Sequence, residues 1–387
     1  MINQHAILIA VGVLLGLNLP GRAQEQEPER SLGEIAGRLP EQKETTNVAH
    51  VHTNEDSNTT AGVAARTEEI AAKSEIKRAA VVTGYTSFVT TYKPGDHLLM
   101  VTAFNPILLV PLGRRWLIET EFELEGNFER EVDSGRWGRT LDKGVEYAQL
   151  DYIASRHLTV VVGRFLSPFG IFNERLHPSW IKKLQATPLI FPIGTGSSNG
   201  AMLRGGIRIG SGVKLNYATY FSGSTTVRSI EAKRAAGVRW GVVFPNRRLE
   251  IGNSFQRLLQ DERFNAYGFD ATWLPLRAPL EFRAEYARSK MGSGYWVEGA
   301  YRFFRKAEVV ARAEQFFTRP AVDGPVMGTE EEGGHGTLPT VDTQRLLLGW
   351  NYYFRDGLRF GFGYGREFTA KGNSNLLSVA FAYRFLR

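Results

Sequence analysis

Residues 358–385 read LRFGFGYGREFTAKGNSNLLSVAFAYRF, and this stretch decides the class of fold. From Leu358 to Tyr364, and again from Leu377 to Phe385, every second residue is large and apolar. The residues between them are Gly, Ala, Ser or Arg. Strict alternation of this kind is typical of a β-strand with one apolar and one polar face. The stretch therefore predicts two strands, each with a single apolar face.

The same alternation recurs from residue 80 to the end of the chain, for example in the rows that begin at Trp116, Val213 and Leu346. A strand of about ten residues is long enough to cross a bilayer when it is tilted. An even number of such strands is typical of a closed barrel in the bacterial outer membrane. We predict sixteen strands, at 81–92, 98–110, 115–129, 144–155, 157–164, 201–210, 212–222, 235–244, 247–258, 263–274, 279–290, 293–304, 306–318, 341–354, 357–367 and 375–385.

The connections between these strands alternate in length. Every second connection is tight, and the others include all the long ones, at 130–143, 165–200, 223–234 and 319–340. Short periplasmic turns opposite longer outer loops are typical of outer-membrane barrels. Aromatic residues close several strands on the short-turn side, where an interfacial girdle is expected: Phe244, Trp273, Phe303, Phe354 and Phe385. The pattern predicts an all-β transmembrane barrel located in the bacterial outer membrane of a Gram-negative cell.

Composition excludes several other classes of protein. The chain has 387 residues with 41 Gly, 12 % aromatic residues and no Cys, so disulfides, thiolate zinc sites and Cys nucleophiles are ruled out. A soluble β-sandwich or barrel is the alternative to a membrane barrel. Sixteen bulky apolar faces would exceed the core that a single soluble barrel provides, whereas the opposite, polar face suits a water-filled lumen.

Two segments precede the barrel. Residues 1–23 contain a short apolar run and end in Gly21-Arg22-Ala23, which predicts a secretory signal peptide. Residues 24–79 carry 7 basic and 11 acidic side chains and few apolar ones, which predicts a polar, largely disordered periplasmic segment. Residues 80–387 form the predicted barrel and carry a net charge of +10.

Loop 165–200 is the third outer loop and the longest, and it is the candidate constriction of the pore. The loop contains enough apolar residues, among them Trp180 and Phe191, to pack against the barrel wall. A positive constriction would concentrate anions, although the same cations could instead contact lipopolysaccharide at the rim. The charged candidates in and beside this loop are Arg164, Glu174, Arg175, Lys182, Lys183, Arg204 and Arg208.

An acidic row on the third strand opposes that interpretation. Glu119, Glu121, Glu123 and Glu125 share the face opposite Phe122, so we expect them to line the lumen. Arginines at lumen-facing positions of other strands would either face this row across the pore or form ion pairs within the wall. They are Arg239, Arg283, Arg302, Arg312, Arg359 and Arg384. The expected outcome is a mild preference for anions, which the acidic row could reverse if it reaches the constriction.

The run Gly163-Arg164-Phe165-x-x-Pro168-Phe169-Gly170 resembles the G-[KR]-F-x-x-P-F-G element of the phosphate-selective porin (porin O/P) family. Members of that family are sixteen-stranded trimeric channels whose third loop folds inward and narrows the pore. The resemblance implies a homotrimer that allows passive diffusion of small hydrophilic solutes, including phosphate-like anions. Its partners would then be outer-membrane lipid, lipopolysaccharide and these solutes.

Other functions receive less support from the sequence. No spacing suggests a catalytic Ser-His-acid site or a phosphate-binding Gly loop followed by a helix, so we expect no enzymatic activity, cofactor or catalytic residue. Residues 330–332 (EEE) are more simply solvated acids than a Ca²⁺ site, and no metal is expected. A lipid-facing aromatic row also argues against nucleic acid as a partner. The alternative function is a structural or adhesive barrel that loop 165–200 plugs.

Overall fold

The computed structural model describes residues 80–95, 97–131, 135–176, 178–194, 196–210, 212–260, 263–276, 278–304, 306–319, 338–355 and 357–386. The predicted signal peptide (1–23), the predicted periplasmic segment (24–79) and the acidic run at 330–332 lie outside these residues. The predictions for those parts therefore stay predictions.

The described chain forms sixteen β-strands. They are β1 Val81–Lys93, β2 His97–Leu112, β3 Trp116–Glu131, β4 Trp137–Ile153, β5 Thr159–Leu166, β6 Ser197–Ile209, β7 Val213–Gly223, β8 Ala235–Phe244, β9 Leu249–Leu258, β10 Phe264–Trp273, β11 Leu280–Ser289, β12 Gly292–Phe303, β13 Ala307–Thr318, β14 Thr343–Arg355, β15 Leu358–Thr369 and β16 Gly372–Leu386. Short helical turns occur at Phe172–Leu176, Arg228–Ile230 and Pro245–Arg247. Among the described residues, none of the helices is long and apolar enough to span a membrane.

The strands close into one antiparallel barrel. Each strand pairs with its neighbours in the chain, and β1 pairs with β16 from Thr83↔Leu386 to Tyr92↔Leu377. Closure pairs the backbone N–H and C=O groups of the first and last strands, which is required of a sheet that spans a membrane. The predicted closed sixteen-stranded barrel is confirmed.

The hairpin of β3 and β4 extends further than predicted. β3 ends at Glu131 and β4 begins at Trp137, so most of the predicted loop 130–143 is paired strand, with Arg130 opposite Trp137. Most residues from 137 to 143 are exposed. A strand pair exposed on both faces needs no apolar alternation, so its backbone pairing continues where the sequence signal stops.

The outer surface of the barrel is apolar, and the inner surface is mostly polar or small, apart from large buried residues such as Trp296 and Phe316. Phe104, Val297 and Leu348 are exposed on the outward face, whereas Glu298, Arg312 and Asn351 point inward and are buried. Aromatic side chains cluster near the short turns, as in the pairs Trp116–Tyr152, with ring centroids 4.5 Å apart, and Trp273–Phe282, at 5.6 Å. An apolar band with an aromatic girdle is what lipid requires of a spanning barrel. The predicted location in the bacterial outer membrane is confirmed by this architecture.

The lipid-facing assignment predicts where a charge is costly. Leu348 lies near the middle of β14 and is 57 % exposed on the outer face. We expect Leu348→Arg to lower the free energy of unfolding by about 2–4 kcal/mol, because it places a charge near the bilayer midplane. Urea titration of the protein folded in lipid vesicles measures this change.

Leu276 provides a matched control for that experiment. It is also 57 % exposed, but it lies in the connection between β10 and β11, outside the spanning strands. Leu276→Arg should change the unfolding free energy by no more than about 0.5 kcal/mol. Equal effects of the two substitutions would contradict the lipid-facing assignment.

Candidate functional site: the lumen and its inward loop

The connection between β5 and β6 folds into the barrel. We refer to residues 167–196, which are described apart from 177 and 195, as the inward loop; it replaces the predicted span 165–200 because β6 begins at Ser197. Its apolar side chains pack against wall residues from four strands, among them Ala266, Trp296 and Phe316. The loop contributes Phe169, Ile171, Phe172, Leu176, Ile181, Leu189, Ile190, Phe191 and Ile193 to this cluster, and all of them are buried. The lumen therefore has a packed core on one side.

The residues of the predicted family element turn the chain inward. Gly170 has a φ of +65°, and a Cβ at this position would overlap the carboxylate of Glu285. The backbone N–H of Gly170 donates to the Ser254 hydroxyl at 3.0 Å, and the next two N–H groups donate to Glu285 at 3.2 and 3.3 Å. Phe169 packs against Gly268, where a Cβ would lie 3.0 Å from its ring. Glycine at position 170 thus allows the loop backbone to approach the wall.

The first half of the element holds the end of β5. Gly163 has a φ of +126°, and a Cβ there would meet the backbone carbonyl of Ala148 on the neighbouring strand. The Arg164 guanidinium donates to the Asn199 side chain at 3.1 Å and to the Glu231 carbonyl at 2.9 Å. Phe165 is buried against Tyr220, with ring centroids 5.9 Å apart. Arg164 is therefore engaged by neighbouring strand and loop groups.

Ion pairs between loop cations and wall carboxylates hold the inward loop. Arg175 makes two hydrogen bonds to Glu250, at 2.8 and 2.9 Å. Lys183 is buried and lies 2.6 Å from Glu308 and 3.2 Å from Glu281. Two of the cations expected to attract anions are thus paired within the wall.

Arginines of the wall bind the backbone of the loop. Arg312 donates to the Ala186 carbonyl, and Arg345 donates to the Thr187 carbonyl. Arg359 donates to two loop carbonyls, those of Ser179 and Lys182. In the same region Asn351 donates to the Lys183 carbonyl at 3.0 Å, and the Leu189 N–H donates to Glu314 at 2.9 Å. Because a buried backbone carbonyl needs a donor, these side chains stabilise a loop that has no regular pairing of its own.

The predicted acidic row faces the lumen on the other side of the inward loop. Glu119, Glu121 and Glu125 are buried on the inner face of β3. Glu119 accepts a hydrogen bond from Gln149 at 3.1 Å, and Glu121 accepts one from the Tyr85 hydroxyl at 3.1 Å. A register shift in the pairing of β3 with β4 lies beside Glu146, which is also buried. We call β1 to β4 with these carboxylates the acidic wall.

A cavity of about 50 Å³ separates the inward loop from the acidic wall. Glu123 and Glu125 line it from the wall, and Lys182 lines it from the loop. The Lys182 ammonium lies 5.8 Å from the centroid of the Phe172 ring. Burial lowers the pKa of Lys182, while the nearby Glu125 and Glu123 carboxylates oppose that shift. The full lining is Tyr85, Ala103, Asn105, Glu123, Glu125, Phe172, Ser179, Lys182, Thr187 and Phe191.

The remaining candidates lie apart from this cavity. Arg204 on β6 lies 3.4 Å from Asp151 and 3.9 Å from Glu174 of the inward loop. Arg208 lies near the end of β6 that leads into a short turn, and it is exposed. The structure therefore brings Lys182, Glu123 and Glu125 together, and it does not bring Arg208 to the inward loop.

Sequence reasoning missed the wall groups that hold the loop. Glu250, Glu281, Glu285, Glu308 and Glu314 occupy the inner face of β9, β11 and β13 and contact the inward loop. The alternation of apolar and polar residues could have identified them, because each lies at a polar, inward-facing position of its strand. Within the described residues, no three His, Cys, Asp or Glu side chains are grouped as a metal site would require.

No protein-family model matches this chain, and no curated protein matches it. Solved structures share its fold. The anion-selective porin from Comamonas acidovorans aligns with a TM-score of 0.53 at 10 % identity, over 79 % of this chain and 99 % of that one. Pseudomonas putida OprB, in a low-pH structure, aligns with a TM-score of 0.52 at 10 % identity, over 86 % of this chain and 100 % of that one.

A third structure supports the same conclusion. The loop L8 deletion mutant of OmpT, an outer membrane protein of Vibrio cholerae, aligns with a TM-score of 0.50 at 10 % identity, over 79 % of this chain and 99 % of that one. At such low identity the likeness shows the fold alone. The described chain is thus a barrel of the outer-membrane porin type.

The turn at Gly170 predicts a position-specific loss of stability. We expect Gly170→Ala to lower the free energy of unfolding by about 1–3 kcal/mol more than Gly210→Ala, because it also forces the added methyl group into the Glu285 carboxylate. Denaturant titration in detergent measures the difference, and protease cleavage within the inward loop should increase in the Gly170 variant only.

Gly210 is a suitable control because its φ is +64°, close to that of Gly170, and nothing lies within 4 Å of a Cβ there. Both variants therefore carry the strain of a positive φ, and only one of them meets the wall. If both lost the same stability, the packing of Gly170 against Glu285 would not hold the loop.

Proposed function

We propose that this protein is a porin through which small hydrophilic solutes diffuse passively across the bacterial outer membrane. The observation that carries the proposal is the inward loop, which is held against β9 to β15, opposite the acidic wall. We place the solute path between the loop and that wall. A rigid element that narrows a wide barrel sets the size and charge of the solutes that pass. This function needs no reacting group, so we propose a protein without enzymatic activity.

The charges beside this path favour cations. Four of the six cations proposed for the constriction bind neighbouring groups: Arg164 binds Asn199, Arg175 binds Glu250, Lys183 binds Glu308 and Arg204 binds Asp151. Lys182 remains at the cavity, opposite Glu123 and Glu125. We therefore propose a preference for cations or neutral dipolar solutes instead of the anion preference expected from the sequence.

Phosphate selectivity receives support only from the family element. In the described residues, Pro168, Phe169 and Gly170 stand at the inward turn, whereas Gly163, Arg164 and Phe165 lie at the end of β5. Arg164 binds the Glu231 carbonyl. A path for phosphate would need cations directed at the solute. A homotrimer and contacts between basic rim residues and lipopolysaccharide are further proposals that rest on the resemblance and on the charge of the barrel.

A plugged barrel with a structural or adhesive role is the second candidate. The burial of Glu119, Glu121 and Glu125 favours it, because carboxylates along a wide water-filled pore would be exposed. Planar-bilayer recording separates the two functions. A porin gives steady single-channel current steps, whereas a plugged barrel gives none.

Ion selectivity tests the charge of the path. From the reversal potential across a salt gradient, we expect a cation-preferring wild type and a cation-to-anion permeability ratio that falls about fivefold in Glu125→Gln. A unit charge at 4 Å contributes about 1 kcal/mol in bulk-like water, which corresponds to that factor. Lys182→Met should raise the ratio by a similar factor, because it removes the positive charge opposite the acidic wall.

Glu129→Gln is the matched control, since it makes the same change on the same strand at an exposed position away from the cavity. The permeability ratio should be unaltered in this variant. An anion-preferring wild type, or an equal response to the Glu125 and Glu129 substitutions, would contradict the proposed path.

A further inference from the structure

We propose that the cavity between the acidic wall and the inward loop binds the primary ammonium group of a small organic cation. This inference rests on the proposed function, since the cavity lies beside the proposed solute path. Its volume of about 50 Å³ accommodates about three or four groups of the size of water. That is enough space for an ammonium group and the first carbons of its chain.

The polar groups of the cavity are acceptors suited to an ammonium donor. Glu123 and Glu125 supply carboxylates. Asn105 is 1 % exposed, and its Oδ1 has no hydrogen-bond partner among the described residues. Its Nδ2 faces the Glu121 carboxylate at 3.5 Å, which fixes the amide with its oxygen available to a donor. A buried acceptor without a donor is costly, so a ligand that donates to it is stabilised.

The apolar part of the lining selects among cations. The rings of Phe172 and Phe191 border the cavity on the side of the inward loop. Aromatic faces attract organic ammonium groups, whereas Ca²⁺ and Mg²⁺ take six or more oxygen ligands. The described residues also lack a group of three His, Cys, Asp or Glu side chains that could hold a metal. The chemistry of the lining therefore fits an alkylammonium.

Lys182 already presents an ammonium group to the same cavity. Its Nζ lies 5.8 Å from the Phe172 ring centroid, and the side chain lines the cavity together with Glu123 and Glu125. A solute ammonium must share or replace that position. Lys182 thus acts as an internal competitor that keeps binding weak, as passage through a channel requires.

Binding of n-butylammonium to the full-length mature chain in detergent tests the proposal. We expect a saturable saturation-transfer-difference NMR signal for n-butylammonium and none for n-butanol or butyrate. Glu125→Gln and Asn105→Leu should each weaken binding about tenfold, because each removes an acceptor of a charged donor. Lys182→Met should tighten binding about tenfold, and Glu129→Gln should leave it unchanged.

Heat-modifiable migration on gels first verifies that each variant is folded. The tighter binding expected of Lys182→Met also cannot result from a damaged barrel, because damage to the barrel would weaken binding. Absence of n-butylammonium binding to the wild type overturns the proposal, and so does an equal loss in Glu125→Gln and Glu129→Gln. Binding without conductance supports the ammonium site and overturns the porin function. Conductance without n-butylammonium binding supports the porin function and overturns the ammonium site.

Discussion

The structure depends on the pairing of buried polar groups between the inward loop and the barrel wall. A loop without regular secondary structure leaves backbone groups that must find partners when it is buried. Here Arg312, Arg345 and Arg359 supply donors to loop carbonyls, while Glu285 and Glu314 accept from loop N–H groups. Removing one member of such a set leaves its partner buried and unsatisfied, which costs more than an ordinary surface contact.

This pairing also determines which charges remain for solutes. Residues 80–387 have a net charge of +10. However, Arg312, Arg345 and Arg359 on β13 to β15 bind backbone carbonyls of the inward loop. Loop cations are neutralised in the same way, as in Arg175 with Glu250. The opposite wall keeps its carboxylates facing the lumen. The net charge of the region is therefore a poor guide to the charges that remain beside the lumen, because nearby charges interact more strongly than distant ones.

Much of the fold was predictable because lipid imposes a strict alternation on every spanning strand. That constraint gave the strand count, the lumen phase of Glu119 to Glu125 and the inner position of Arg312 and Arg359. Lipid does not impose this alternation where both faces of a strand contact water. The sequence pattern therefore did not predict that β4 begins as early as Trp137. Partners across the lumen were also not predictable, because Lys183 and Glu308 are 125 positions apart in the chain. Only the folded loop brings them together.

The most direct test of the account is a disulfide between the inward loop and the wall. The native chain has no cysteine, and a Cβ at Gly349 on β14 would lie 3.6 Å from Cγ of Leu184 in the loop. A cysteine sulfur at position 184 would take the place of that Cγ, so the two cysteine side chains would lie within reach of each other. In the double variant Leu184→Cys, Gly349→Cys, we expect mild oxidation of the membrane-inserted protein to form this disulfide without changing the single-channel conductance. Two free thiols that react with an external maleimide would contradict a loop fixed inside the barrel.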